Sequence, residues 1–292
     1  MRLTLKQLSV FITVYRFGKT TQAGEELSLS QPAISSALSE LEKLLEIQLF
    51  ERNGKKLIAT KAADKLYPQA MSLISQAKAI EKIFLVEKVQ LHIGASTTVG
   101  NYLLPKLISD FMNANSHIEI ILHVHNTKEI CEGVRNFNYD AGFIEGDNLF
   151  DELIAEAWQQ DELMLFCSAN TRFLQTKQNK ITLEHLQKLP LVLREQGSGT
   201  RETIERLILF KLSNYNTMQL YHSEAIRQAV IHDFGIGCLS KYVLDDAYEL
   251  GKIRYLSLTG HKLMRTLWLI THHNKHISEP LAQFLEFCRK NK

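Results

Sequence analysis

The stretch Ser28-Leu29-Ser30-Gln31-Pro32 constrains this chain more than any other part of it. Upstream, Thr20 or Thr21 can cap a short helix that runs to about Leu27. Downstream, Ser30 is placed to cap the next helix, and Pro32 falls in its first turn, where a missing N–H costs little. A helix, a tight turn and a helix with a small-residue polar face is the helix-turn-helix arrangement. A preceding helix is written by Leu5, Leu8, Phe11, Ile12 and Tyr15, which recur on one helical face before Gly18 ends it.

In the third helix Ile34, Leu38, Leu41 and Leu45 follow the 4-3-4 spacing of a buried stripe. Gln31, Ser35, Ser36 and Ser39 are left on other faces, with Gln22 and Ser30 on the elements before them. Short polar side chains there let the backbone approach a major groove while hydroxyls and amides reach base edges or phosphates. A three-helix bundle whose polar face only meets water has the same periodicity.

The segment after the third helix separates the two possibilities. Leu49–Arg52 and Lys56–Ala59 read as strands, joined at Asn53-Gly54, a hairpin signal. Arg52, Lys55 and Lys56 then sit on a protruding turn, the expected wing of a winged helix, gripping phosphate or entering the minor groove. Thr60 can cap a long helix to about Val86. Along it Ala63, Leu66, Ala70, Leu73, Ala77, Ile80 and Phe84 are spaced 3-4-3-4-3-4, a seam that predicts dimerisation. Pro68 interrupts that helix and predicts a mild bend.

The pattern changes near residue 88, and so does the charge. Residues 1–88 hold 13 Lys/Arg against 9 Asp/Glu, a balance of +4, whereas the rest of the 292-residue chain balances at −2. A basic module joined to a near-neutral one suits a nucleic-acid partner. The four cysteines, Cys131, Cys167, Cys238 and Cys288, form no C-x-x-C pair, which argues against a zinc ribbon or disulfide scaffold and fits a reducing cytoplasm. No window approaches the roughly 18 consecutive apolar residues of a membrane span. Met1–Lys6 lacks the apolar core of a signal peptide. A cytoplasmic location is expected.

Beyond residue 88 apolar strands alternate with helices. Val89–Ala95, His117–His125 and Asp140–Glu145 read as strands of one αβ lobe. Leu163–Ser168 opens a second lobe, with strands near Leu191–Leu193 and Ile236–Leu239. The chain returns to the first lobe around Leu267–Thr271 and ends on a helix from about Glu279 to Cys288. A ligand is expected in the cleft between lobes, at strand ends and helix N-termini. Ser96-Thr97-Thr98 after the first strand, and Ser198 and Thr200 before a helix of Ile204–Phe210, offer hydroxyls and free N–H groups to an anion. His222-Ser223-Glu224 opens another helix beside them.

Catalytic signatures are absent from the sequence. Gly197-Ser198-Gly199-Thr200 is neither a P-loop nor a nucleophile elbow. His123 and His125 share a strand face, and His272, His273 and His276 cluster near the end, without the convergent donors a metal needs. No catalytic residue, metal or cofactor is expected.

The run Thr21 to Ser35, with its Ser30-Gln31-Pro32-Ala33-Ile34-Ser35, followed by Leu41-Glu42 and Leu49-Phe50-Glu51-Arg52, resembles the LysR-type transcriptional regulators. Ser36 stands where that family often has arginine, and Glu46 where it commonly has glycine. Three further segments, Ala95–Pro105, Leu193–Glu202 and Leu263–Trp268, are similar to the family's YeiE/CysL-like branch. The branch is associated with sulfur metabolism, so the resemblance implies a sulfur oxyanion such as sulfite as effector. By analogy with sulfate-sensing members it also implies Ser96, Thr98 and Thr200 as contacts, with Thr97 and Ser198 next.

The expected architecture is α/β overall. A mostly helical winged helix-turn-helix (1–59) is followed by a dimerising linker helix (60–88). A C-terminal domain like the two-lobed α/β periplasmic binding proteins (89–292) completes it, with lobe I at about 89–162 and 267–292 and lobe II at about 163–266. The expected function is regulation of transcription on double-stranded DNA by a small anion or carboxylate-bearing effector. The assembly is expected to be a homodimer and, as the family implies, a homotetramer. The competing reading is a solute-binding module whose N-terminal helices serve only assembly.

Overall fold

The computed structural model describes residues 2–54, 56–82, 88–146, 150–174 and 179–291. They divide into two compact units, 1–87 with 274–278 and 88–273 with 279–292. Lys55 and Phe84, expected on the wing and the seam, lie outside the described residues.

The first unit runs α1 (Leu5–Phe17), α2 (Thr20–Leu27), α3 (Gln31–Leu45), β1 (Phe50–Asn53), β2 (Lys56–Ala59) and α4 (Lys61–Lys82). Thr4 and Gln7 form a reciprocal cap on α1, and Gly18 closes it at φ 64°. The cap of α2 departs from expectation. Lys19 flanks the helix, so Thr20 and Thr21 already lie in its first turn. Gly24 admits no side chain, since a Cβ would sit 2.6 Å from the Leu29 carbonyl oxygen across the tight turn. Ser30 caps α3 by accepting from the Ala33 N–H at 3.4 Å. Ile34, Leu38 and Leu41 are buried with Leu8, Phe11, Leu49 and Phe50, while Leu5 and Leu45 at the ends of the stripes are exposed. In the wing Asn53 pairs with Lys56, so Asn53 belongs to β1 rather than to the turn. Gly54 takes the positive φ, at 60°.

Thr60 caps α4 through the Ala63 N–H at 3.3 Å. The expected seam is divided. Ala63, Tyr67 and Ala70 are buried on the side where Tyr67 stacks on Tyr15 of α1, with ring centroids 4.2 Å apart. Leu66 and Ala77 are half-buried, and Leu73 and Ile80 are exposed.

The second unit begins with β3 (Val89–Ser96), a π-helical turn at Val99–Leu103, α5 (Leu104–Ala114), β4 (Ile118–His125), α6 (Thr127–Arg135) and β5 (Ala141–Glu145). Then come β6 (Leu153–Ser168), β7 (Lys180–Ile181), α7 (Leu183–Leu186), β8 (Leu191–Arg194) and α8 (Gly199–Leu207). The remainder is β9 (Thr217–Leu220), α9 (Ser223–Ile231), β10 (Ile236–Ser240), α10 (Lys241–Glu249), β11 (Ile253–Leu258), β12 (Met264–His272) and α11 (Glu279–Lys290).

The strands follow the order β4-β3-β5-β12-β6-β10-β8-β9, with β11 on β6 and β7 on β11. Strand β6 belongs to both lobes. It pairs with β12 over Leu153–Glu162 and with β10 from Leu163 onward. Separate cores fill the lobes, one around Ile93, Phe111, Phe143 and Phe284, the others around Leu165, Leu193 and Ile204 and around Phe166, Val192 and Val230.

Two boundaries differ from the sequence reading. Strand β6 starts ten residues before Leu163, because a bulge opposite Leu267/Trp268 breaks its alternation and only Leu153, Trp158 and Asp161 are buried before Leu163. Helix α8 starts at Gly199 rather than Ile204, so Gly199 and Thr200 belong to its first turn.

Candidate DNA interface and effector cleft

Helix α3 exposes Gln31, Pro32, Ser36 and Ser39, and Ser35 is half-buried. A groove of about 580 Å³ runs beside it, bounded by Lys19, Thr20 and Thr21 at the start of α2, by Gln31 and Ser35, and by Arg52, Gly54 and Lys56 of the wing. Its three cations and the α2 N-terminus face the same hollow, with no acid among its lining residues. Gln22 is exposed outside the groove, and the Ser30 hydroxyl is used by its cap. The Ser36 hydroxyl donates to Glu40 at 3.1 Å.

Glu42 fixes the wing to α3. One of its carboxylate oxygens accepts from the Leu49 and Phe50 N–H groups at 2.7 and 3.2 Å. The spacing of Leu41-Glu42 and Leu49-Phe50 therefore has a physical meaning: three buried side chains and one carboxylate that starts a strand.

In the second unit a cavity of about 430 Å³ opens between the lobes. Thr97, Asn101, His125, Asn126 and Glu129 line it from one side, and Arg194, Glu195, Tyr221 and His222 from the other. Arg194 is a wholly buried guanidinium. Its Nε and Nη2 donate to both Glu195 oxygens at 2.7 and 2.8 Å, Nη1 donates to Ser223 at 3.0 Å, and Nη2 reaches Thr97 Oγ1 at 3.3 Å.

A second buried ionic cluster joins the lobes. Glu145, at the end of β5, accepts from the Thr98 N–H at 3.1 Å, the Thr98 hydroxyl at 2.9 Å and the Thr200 hydroxyl at 2.9 Å, and it pairs with Arg265. Arg265 also donates to Thr200 at 2.8 Å, Thr98 at 3.2 Å and Asp161 at 2.7 Å. The Ser240 hydroxyl completes Asp161 at 2.7 Å. Burial pushes the Glu145 carboxyl up, but Arg265, the Thr98 N–H and Arg194 outweigh it and hold it below the usual carboxylate range. Burial pushes Asp161 up, and there Arg265 and Ser240 do not fully compensate. A side chain also bridges the two backbones there, since Thr127 Oγ1 donates to the Glu145 carbonyl at 2.7 Å and accepts from the Gly199 N–H at 3.2 Å.

The five expected effector contacts thus fall in three settings. Thr97 lines the cavity. Thr98 and Thr200 meet on Glu145, and Ser198 is buried beside Thr200 at the start of α8. Ser96 is buried, and its hydroxyl has no partner among the described residues. The sequence reading missed Glu145, Asp161, Arg194 and Arg265 as site residues. Their signal was present, because each is a charge set in or against an apolar strand run, where burial demands a partner.

Away from the cleft, His92 Nδ1 lies 3.1 Å from His123 Nε2, with the rings stacked at 5.4 Å. Among the described residues no group of three or more His, Cys, Asp or Glu is placed to hold a metal, and no helix is long and apolar enough to cross a membrane.

A winged helix-turn-helix on one unit and a polar interlobe cleft on the other define a DNA-binding regulator with an effector-binding domain. Comparison with known proteins agrees. Residues 5–64 match the family described as bacterial regulatory helix-turn-helix protein, lysR family, and residues 87–292 match the LysR substrate binding domain. The chain belongs to the LysR family of transcriptional regulators. It is 42% identical over 289 residues to the uncharacterized HTH-type transcriptional regulator YeiE of Escherichia coli K12, covering 99% of this chain and 98% of that one. It is 31% identical over 265 residues to the HTH-type transcriptional regulator CysL of Bacillus subtilis, covering 89% and 88%. Its fold is similar to the crystal structure of ArgP from Mycobacterium tuberculosis, with a TM-score of 0.74 at 16% identity over 97% of this chain and 95% of that one.

Proposed function

We propose that this regulator reads double-stranded DNA through α3 and the wing, and that a small anion in the interlobe cleft controls its binding. Gln31, Pro32, Ser35 and Ser36 lead into the major groove, Ser39 lies one turn further along, and Thr20, Thr21, Gln22, Ser30, Arg52, Lys55 and Lys56 serve the phosphates. Pairing along Leu66, Leu73, Ala77, Ile80 and Phe84, without Ala70, which is already buried within the chain, lets two heads share one pseudo-palindromic site, and a dimer of such dimers gives a homotetramer. The observation that carries the DNA reading is the cationic groove between the α2 N-terminus, α3 and the wing.

For the effector, the likeness to the YeiE/CysL branch supports a sulfur oxyanion such as sulfite, contacted by Ser96, Thr97, Thr98, Ser198 and Thr200. The convergence of hydroxyls from both lobes beside Arg265 is the chemistry that supports it. The cavity of about 430 Å³ favours a second reading, since it has room for a larger carboxylate-bearing metabolite.

Gel retardation on the DNA upstream of the protein's own coding sequence tests the first part. The intact protein is expected to retard it, and Ser35→Ala combined with Arg52→Ala to abolish specific retardation. No retardation at low salt would leave the solute-binding reading in its place. Calorimetric titration of the full chain with sulfite, sulfate and a panel of carboxylates tests the second. Heat from a carboxylate alone would transfer the effector assignment to that class.

A further inference from the structure

Glu145 is held in the manner of a bound oxyanion. Its carboxylate takes an N–H and a hydroxyl from Thr98 on lobe I, a hydroxyl from Thr200 on lobe II, and the Arg265 guanidinium. Both threonine hydroxyls accept from Arg265, so the hydrogens they can offer are committed to Glu145. Charge adds a second constraint. Arg265 also serves Asp161, and the cluster therefore sets two buried carboxylates against one guanidinium. A further anion joining it would be a buried charge with no counter-charge, the arrangement that burial penalises most. An oxyanion can use these donors only by taking the place of Glu145. The Ser96 hydroxyl, two residues before Thr98, is buried with no hydrogen-bond partner among the described residues.

We propose that Glu145 is the cleft's resident anion, filling the oxyanion cradle until an effector displaces it and breaks the Thr200–Glu145 link between the lobes. This rests on reading the cleft as an anion site, and the two readings fail separately. A tethered carboxylate competes at high effective concentration, so it weakens the affinity for any free oxyanion by the fraction of time the cradle stands open.

The test compares wild type with Glu145→Ala and Glu145→Gln in the full chain, titrating sodium sulfite, sodium sulfate and sodium acetate by calorimetry and by shift in melting temperature. Removing the competitor is expected to tighten oxyanion binding at least about tenfold in Glu145→Ala. Acetate, which replaces the missing carboxylate, should raise that variant's melting temperature more than the wild type's. Binding by Glu145→Ala but by no wild-type protein supports the resident anion and removes the sulfur oxyanion as natural effector. Equal affinity in wild type and folded Glu145→Ala overturns the resident anion and leaves the effector reading standing. Should Glu145→Ala fail to fold, Glu145→Gln decides on the same comparison: tighter sulfate binding than wild type supports displacement, and unchanged binding overturns it.

Discussion

The Thr200 hydroxyl donates to Glu145 at 2.9 Å and accepts from Arg265 at 2.8 Å, so one side chain of lobe II satisfies both members of a buried ion pair. Thr200→Val keeps the shape and removes both bonds. It leaves two buried charged groups short of a partner and should cost about 1–3 kcal/mol. Urea unfolding of the full chain measures this, and Thr200→Ser should recover most of the loss. Equal stability of valine and threonine at this position would show that the bridge adds nothing.

Glu46 ends α3 at φ 53° and ψ 32°, a left-handed conformation that suits glycine better than a residue with a Cβ. Glu46→Gly is expected to stabilise the head by about 1 kcal/mol. Thermal melting should show the rise, with operator affinity unchanged because the residue lies at the far end of the helix from Gln31.

Leu73 is 45% exposed and Ile80 66%, so the fold of one chain leaves this part of α4 uncovered. Leu73→Asp should leave the circular dichroism spectrum unaltered, halve the mass seen by light scattering and weaken operator binding. An unchanged mass would refute the seam.

The His123 imidazole is held below its ordinary pKa, first by burial and then by His92 and His125. A histidine whose folded value is depressed binds its proton more readily when unfolded. Its contribution to stability is therefore present above the unfolded value, about 6.5, and lost as pH falls through the folded one. The difference in unfolding free energy between wild type and His123→Gln should shrink from pH 7 to pH 5. A pH-independent difference would contradict this assignment.

The head was legible from sequence because its signals are local. Ser30, Gly18 and the Ile34-Leu38-Leu41 stripe act within one or two turns, and all three do in the structure what their types demand. The α2 cap was misplaced because Lys19 flanks that helix with no side-chain bond. The cleft was legible only in part. Hydroxyls after strands mark helix starts, but what they bind depends on partners far along the chain, as Thr98 does on Arg265, 167 residues away. The α4 spacing was ambiguous for a related reason: heptad periodicity cannot tell a second chain from the chain's own fold, and Ala63 and Ala70 are buried within the chain on the side where Tyr67 stacks on Tyr15.

Strand β6 carries 16 residues through both lobes, a rod of about 50 Å. Strand β12 lies along it as far as Met264 opposite Glu162, and Arg265 faces Asp161 one step earlier. The β6–β12 ribbon, with one bulge at Leu267/Trp268, therefore runs up to the point where β6 passes into the second lobe without a loop. A change of angle between the lobes would twist that ribbon, and the Arg265–Asp161 pair lies one step from the crossing. Such a twist would work like a torsion spring: small angular displacements, elastically opposed by the β6–β12 ladder and by the Glu145–Thr200 link beside it.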